Sequence, residues 1–327
     1  MAFSLRRRTL LTGLAAGLAI PSLACAQGRF ADKTIRLIVP FPAGGGTDVA
    51  ARLLAERLAP VLKARIVVEN APGGGGSIGY RAALNAPNDG TAVLLTSSAI
   101  ATMPFLYPSR NFDPINQVVP VSMIGSGPSL ICVGPHVPVA TLKELIDLAR
   151  AKPGELSYAS AGVGSGLHLS TEVFLRMAGI NVKHVPYRGA ALATADILGG
   201  RIDMIVDILT SVRPHVGEGK MRALAITSKT RSPLAPEYAP ANETVPGYDF
   251  AAWFGVYLPG GAPAGLADEL QAAIATAMAD PTLKDRYATM GMEAGSSSPA
   301  EFRTFMAAEL DRWGKLIRDL GITAEGG

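Results

Sequence analysis

The chain has 327 residues, 48 % of them hydrophobic, with 30 Lys and Arg against 27 Asp and Glu and only two cysteines. That is more apolar sequence than one core usually serves, so two domains are expected; two thiols give neither a disulfide framework nor a CxxC metal or redox pair. Arg6, Arg7 and Arg8 precede an apolar stretch from Leu10 to Leu23, too short and too rich in Gly and Ala to span a bilayer, and Ala24-Cys25-Ala26 fits a small-x-small cleavage site. Residues 1–26 therefore read as an export signal that is removed, by the general secretory or the twin-arginine route. Its loss takes three arginines and no acid, which leaves 27 charges of each sign. Zero net charge argues against nucleic acid and anionic membrane surfaces as partners.

Along the chain, Ile35 to Val39, Ile66 to Val68 and Ala92 to Thr96 are short, β-branched runs that predict strands. Between them Val49, Leu53, Leu54, Leu58, Val61 and Leu62 recur with helical spacing. Ser129 to Val133 is a further strand carrying Cys132, read as a buried thiol. Thr141-Leu142-Lys143-Glu144 is a capping box that opens a helix to about Ala151, and Pro153-Gly154 ends it. Leu156 to Ala159, Lys183 to Tyr187, Met204 to Ile208 and Ala223 to Thr227 predict strands that alternate with helices. Ser232 to Gly247, with four prolines, reads as a surface connection. Trp253 to Leu258 is a last strand. Two amphipathic helices are then expected: one from Pro263, the other behind Ser298 with Phe302, Phe305, Leu310, Trp313, Leu316 and Leu320 inward. Strands alternating with helices predict an α/β fold with mostly parallel sheet covered by helices.

Two glycine-rich turns join strand to helix: Pro40-Phe41-Pro42-Ala43-Gly44-Gly45-Gly46-Thr47-Asp48 and Ser160-Ala161-Gly162-Val163-Gly164-Ser165-Gly166-Leu167-His168. Neither holds a lysine or arginine. Free N–H groups and the positive end of the helix dipole make such turns anion sites, suited to a carboxylate that must be held and released. These turns, with Asn70-Ala71-Pro72-Gly73-Gly74, His184-Val185-Pro186-Tyr187-Arg188-Gly189 and Leu198-Gly199-Gly200-Arg201-Ile202-Asp203, resemble the Bug-type solute receptors of tripartite tricarboxylate transporters, from about residue 30 to the end. The resemblance implies a two-lobed periplasmic binding protein fold of type II, each lobe a mostly parallel sheet flanked by helices, with two crossover strands as hinge. It places residues 27–128 and 252–327 in the first lobe and 129–251 in the second. It implies a monomeric periplasmic receptor without cofactor, its partners a small carboxylated solute and membrane transporter subunits. A sensor that presents its closed form to a signalling receptor would use the same cleft.

The resemblance gives the solute to backbone N–H groups of both turns. In the first these are carried by Phe41, Ala43, Gly44, Gly45 and Gly46, while Thr47 and Asp48 either cap the helix or touch the solute. Asn70 reads as a turn former. Ser97 and Ser98 end a strand where a crevice opens, as caps or contacts. In the second lobe Ser160, Ala161 and Gly166 are expected contacts, and His168 a structural hydrogen-bonder or a ligand. Tyr187 and Gly189 lie at another strand-to-helix turn, where a phenol can reach a solute. Asp207 ends a strand and suits an amine, hydroxyl or water rather than an anion.

Enzymatic readings fit less well. Gly75-Gly76-Ser77-Ile78-Gly79 satisfies G-x-S-x-G with Asp203 and His215 in hydrolase order, but Ala71 to Gly76 separate Ser77 from its strand, unlike a nucleophile elbow. Gly162, Gly164 and Gly166 have the wrong spacing for a dinucleotide turn, and no GK[ST] follows a glycine run. His136, His168, His184 and His215 are scattered, without metal-ligand spacing.

Overall fold

Among the described residues ten strands form one curled, mixed sheet with helices packed on it, in the order β2-β1-β3-β9-β4-β7-β5-β6, with β8 and β10 also paired to β4. The computed structural model describes residues 28–163, 165–187, 189–319 and 321–322. The expected export signal, Gly164, Arg188 and Leu320 lie outside them.

The first group of strands is β1 (Thr34–Val39), β2 (Arg65–Asn70) and β3 (Ala92–Ser97), joined by α1 (Gly46–Leu62) and α2 (Ser77–Leu84). All three are parallel, as crossover helices require. The second group is β5 (Ser157–Ser160), β6 (Lys183–Pro186) and β7 (Met204–Ile208), again parallel, joined by α5 (Gly166–Ala178) and α6 (Ala190–Leu198). Strand β4 (Val118–Val133) runs through both groups. Its residues 118–128 pair with β9 (Ala251–Pro259), Ser129 to Val133 pair with β7, and Leu130 to Val133 pair also with β8 (Arg222–Ile226).

Where β4 passes between the groups, fully buried Thr227 ties the crossing together. Its N–H donates to Ser129 O and its hydroxyl accepts from Ser129 N at 2.8 Å. On the other side Phe250 N donates to Thr227 O, and the hydroxyl donates to Phe250 O at 2.9 Å, just before β9 begins.

Three buried apolar clusters follow this layout. Leu37, Val39, Leu54 and Leu58 fill one beneath α1, and Tyr158, Phe174, Val206 and Trp253 belong to another. Leu130, Cys132, Ile205 and Leu209 form the third, under α6 and α7 (Leu209–Gly217). Each such side chain contributes about 1.5–3 kcal/mol by leaving water. Cys132 is buried as expected, and burial pushes its thiol up.

The capping box is formed, with Glu144 N donating to Thr141 Oγ1 and the Glu144 carboxylate accepting from Thr141 N, and it starts α4 (Leu142–Ala151). Other expectations shift. Val49 and Val61 are exposed on α1. Three helices close the chain rather than two: α8 (Leu266–Met278), starting three residues after Pro263, α9 (Pro281–Thr289), and α10 (Pro299–Asp319). On α10 Phe302 and Trp313 are buried, with Met306 and Ile317 beside them, while Phe305, Leu310 and Leu316 are only half-buried. The proline-rich segment is no simple surface connection: Ala235, Ala241 and Val245 are buried and Pro240 bridges Ile226.

Candidate functional site

The helices α1, α3 (Ala99–Leu106), α5, α6 and α7 all begin just beyond the C-terminal ends of β1, β3, β5, β6 and β7. In open α/β sheets that edge is where ligands bind. At the first turn Gly45 is the N-cap of α1 with no side-chain cap, so the N–H groups of Gly46, Thr47 and Asp48 have no intrahelical acceptor. Gly45 N–H makes only a long 3.4 Å contact with Pro42 O. Ala43, Gly44 and Gly45 are exposed and Phe41 is half-buried.

Asp48 braces this turn. It is 2 % exposed, and both carboxylate oxygens are engaged: Oδ2 accepts from Gly44 N at 2.9 Å and from Arg52 Nε at 3.0 Å, Oδ1 from Asn70 Nδ2 at 2.9 Å. Asn70 Nδ2 also donates to Phe41 O, and Arg52 donates to Asn70 Oδ1. Burial would raise the Asp48 carboxyl, but the bonds from Arg52, Gly44 and Asn70 outweigh it and hold it below the ordinary aspartate value. Direct solute contact by the Asp48 side chain would compete with these bonds. Arg52, one helical turn after Asp48, was legible as an i,i+4 partner and was missed.

The second turn is built differently. Ser165 caps α5 by accepting from His168 N, which leaves Gly166 and Leu167 as the uncapped donors. Ser160 is fully buried; its hydroxyl accepts from Gly162 N and lies 2.7 Å from His184 Nε2. His184 stacks on Tyr158 with centroids 4.7 Å apart and meets His168 at 4.4 Å. Burial lowers both histidines to about 4, and their mutual repulsion adds to this at His184. His168 is 5 % exposed within this cluster, and His184, which spacing did not single out, joins it. Tyr187 donates its hydroxyl to Asp196 at 2.7 Å, so its phenol is engaged within its own loop and helix. Gly189, at φ 126, is the N-cap of α6.

The two groups meet along this edge. A Cβ on Gly46 would stand 2.9 Å from Ile208 Cδ1, and one on Gly166 would stand 3.6 Å from Ser98 Oγ. Ser98 is buried as N-cap of α3, while Ser97 is half-buried with its hydroxyl 3.4 Å from Ala99 N. Asp207 lies beside Ile208, 1 % exposed; Oδ1 accepts from Ile208 N at 2.7 Å, and Oδ2 has no partner. Burial pushes its carboxyl up to about 7 against the Ile208 and Ser211 hydrogen bonds. The hydrolase constellation is not assembled: Asp203 bonds Ser157 and His136 instead of His215, and Ser77 is buried at the start of α2.

A sequence profile described as tripartite tricarboxylate transporter family receptor (TctC) matches residues 50–322. The chain belongs to this family. Its fold matches the solved periplasmic binding protein BugD at 30 % identity and a TM-score of 0.83, covering 90 % of this chain and 99 % of that one. It matches Rpa4515 of R. palustris, solved with adipate, at 33 % identity and 0.83, covering 89 % and 98 %. MatC from Rhodopseudomonas palustris, solved with bound malate, is similar at 26 % identity and 0.80, covering 87 % and 99 %. These likenesses bear out the Bug-type resemblance and the periplasmic binding protein fold. The family is one of solute receptors, and among the described residues no helix is long and apolar enough to cross a membrane.

Proposed function

We propose that the chain is a non-enzymatic, periplasmic receptor that captures a small carboxylated solute between two lobes and delivers it to the membrane subunits of a tripartite tricarboxylate-type transporter. The observation that carries this reading is the pair of helix N-termini, α1 and α5, which present uncapped N–H groups beside the contacts Gly46–Ile208 and Ser98–Gly166. Adipate and malate in the two R. palustris relatives support a dicarboxylate as solute. The lobes divide at Ser129 and near Ala252, where β4 changes partners and β9 begins, so residues 27–128 with 252–327 close against 129–251. In this reading Gly44 to Thr47 and Ser160, Ala161 and Gly166 form the two halves of the grip, with Ser97, Ser98, Gly189 and Asp207 as its walls. Each helix terminus contributes roughly 1 kcal/mol to an anion.

The test is a thermal-shift and calorimetric screen of mono-, di- and tricarboxylates on the exported form, with Gly45→Pro as the diagnostic variant. Gly45 has φ −76°, which proline accepts, so the change deletes a donor, and circular dichroism checks that the variant folds. A solute at a hundred times its Kd adds about 2.7 kcal/mol of stability. We expect at least one dicarboxylate to shift the melting temperature of the parent and to lose that effect in Gly45→Pro. No shift with any acid, or a folded Gly45→Pro protein that binds like the parent, overturns the proposal.

A further inference from the structure

The loop Gly73 to Gly76 holds four consecutive glycines at positive φ, from 57° to 126°. Gly75 is the one that faces the C-terminal end of α3. A Cβ on Gly75 would stand 2.6 Å from Cε2 of Tyr107, so a side chain there would strike the tyrosine ring lying on the loop. Tyr107 closes α3, its N–H donating to Met103 O at 3.0 Å. Its hydroxyl reaches out of the first lobe and donates to Val163 O, in the middle of the second glycine turn, at 2.9 Å.

A ring seated on bare backbone therefore holds the backbone of the opposite turn across 56 residues of chain. The Gly46–Ile208 and Ser98–Gly166 approaches are nonpolar or loose, and the phenol adds a directional bond to them. Resting on the receptor reading above, we propose that Tyr107 is a positioning residue for capture, a latch that seats the second turn against the first lobe in the closed form and slows release of solute. It does so without touching the solute. Association starts from the open form, in which this bond is unmade, so the latch acts on the dissociation rate.

Tyr107→Phe keeps the ring on Gly75 and removes the hydroxyl that donates to Val163 O. Release of adipate and of malate is followed by stopped-flow tryptophan fluorescence in the parent and the variant. We expect release roughly fivefold faster with an unchanged association rate, the factor that one neutral hydrogen bond is worth. A second arm needs no solute: spin labels at cysteines replacing Ile78 and Leu192, 56 % and 58 % exposed on α2 and α6, report lobe separation. Tyr107→Phe should move that distribution to longer distances at an unchanged melting temperature. Unchanged distances with unchanged release overturn the latch, as does a variant that only melts earlier. If neither acid binds the parent, the broader acid screen above decides the receptor reading and the distance distribution alone decides the latch.

Discussion

Replacing Asp48 by alanine tests whether the first glycine turn is preformed. The carboxylate is 2 % exposed and receives three hydrogen bonds, from Gly44 N, Arg52 Nε and Asn70 Nδ2. Arg52 is half in solvent, so its contact contributes roughly 0–1 kcal/mol. The bonds from Gly44 and Asn70 end on a buried charge and are worth about 1.5–3 kcal/mol each, part of which is offset because the variant no longer desolvates a carboxylate. The net loss expected in urea unfolding at pH 7 is about 2–4 kcal/mol. Asparagine is no mild substitute: whichever way the amide turns, its NH2 faces either Gly44 N and Arg52 or Asn70 Nδ2, donor against donor. Since the folded carboxyl sits below its unfolded value near 3.9, its contribution is present above that pH and fades as the pH falls through the lowered folded value. The deficit of Asp48→Ala should therefore shrink below about pH 4, and dicarboxylate affinity at pH 7 should fall with the loss of turn order. A variant within about 0.5 kcal/mol of the parent at pH 7, or a deficit equal at pH 7 and pH 3, refutes the brace.

Three further outcomes follow from polar groups held within the fold. Thr227→Val deletes the hydroxyl that pairs with Ser129 N and Phe250 O; urea unfolding should show a loss of about 1–3 kcal/mol, with Thr227→Ser close to the parent. His184 titrates at about 4 when folded and near 6.5 unfolded, so the unfolded chain binds more protons and this group costs stability as the pH drops from about 6.5 to 4. The melting temperature of His184→Gln should gain on the parent across that window, and a constant difference would contradict it. Asp207 runs the other way, because a folded value raised to about 7 removes stability as the pH climbs from about 4 to 7. Asp207→Asn should melt above the parent at pH 8 and level with it near pH 4; a variant less stable at pH 8 would mean that the bonds from Ile208 and Ser211 outweigh the burial of the charge.

The alternating strands and helices were legible because each is short, apolar and punctuated: β7 begins and ends where its β-branched run does, and Thr141 with Glu144 marks α4. What stayed hidden depends on register. Asn70 reaches Asp48 because β2 pairs with β1 with Val39 opposite Asn70, a fact that no local pattern carries. His184 meets Ser160 because β6 lies parallel to β5 with Tyr158 opposite His184. Strand β4 hid for the opposite reason. Pro120, Gly125, Gly127 and Pro128 interrupt the apolar pattern, yet β9 pairs along that whole stretch, with register shifts only between Pro120 and Ser122 and between Met123 and Gly125. Gly127 is there because a Cβ would stand 2.1 Å from Gly291 O. Helix α9 offered Asp280-Pro281 as a start, but it buries only Leu283 and Tyr287, too little apolar periodicity to register.

On the receptor reading proposed above, a grip split between two lobes also bears on specificity. A solute shifts open to closed only by the difference in its affinity for the two forms. An acid with one carboxylate reaches one turn in either form and gains little from closure. A dicarboxylate whose ends match the spacing of the α1 and α5 termini makes its second set of bonds only when the lobes meet, so its length is read by closure itself. Backbone donors cannot tell one carboxylate from another, which leaves chain length and the walls at Ser98, Ile208 and Asp207 to discriminate. Across a series of straight-chain diacids, affinity should pass through a single maximum while the monoacids of equal length bind weakly; calorimetry that finds monoacids and diacids equal would mean that one turn does all the binding.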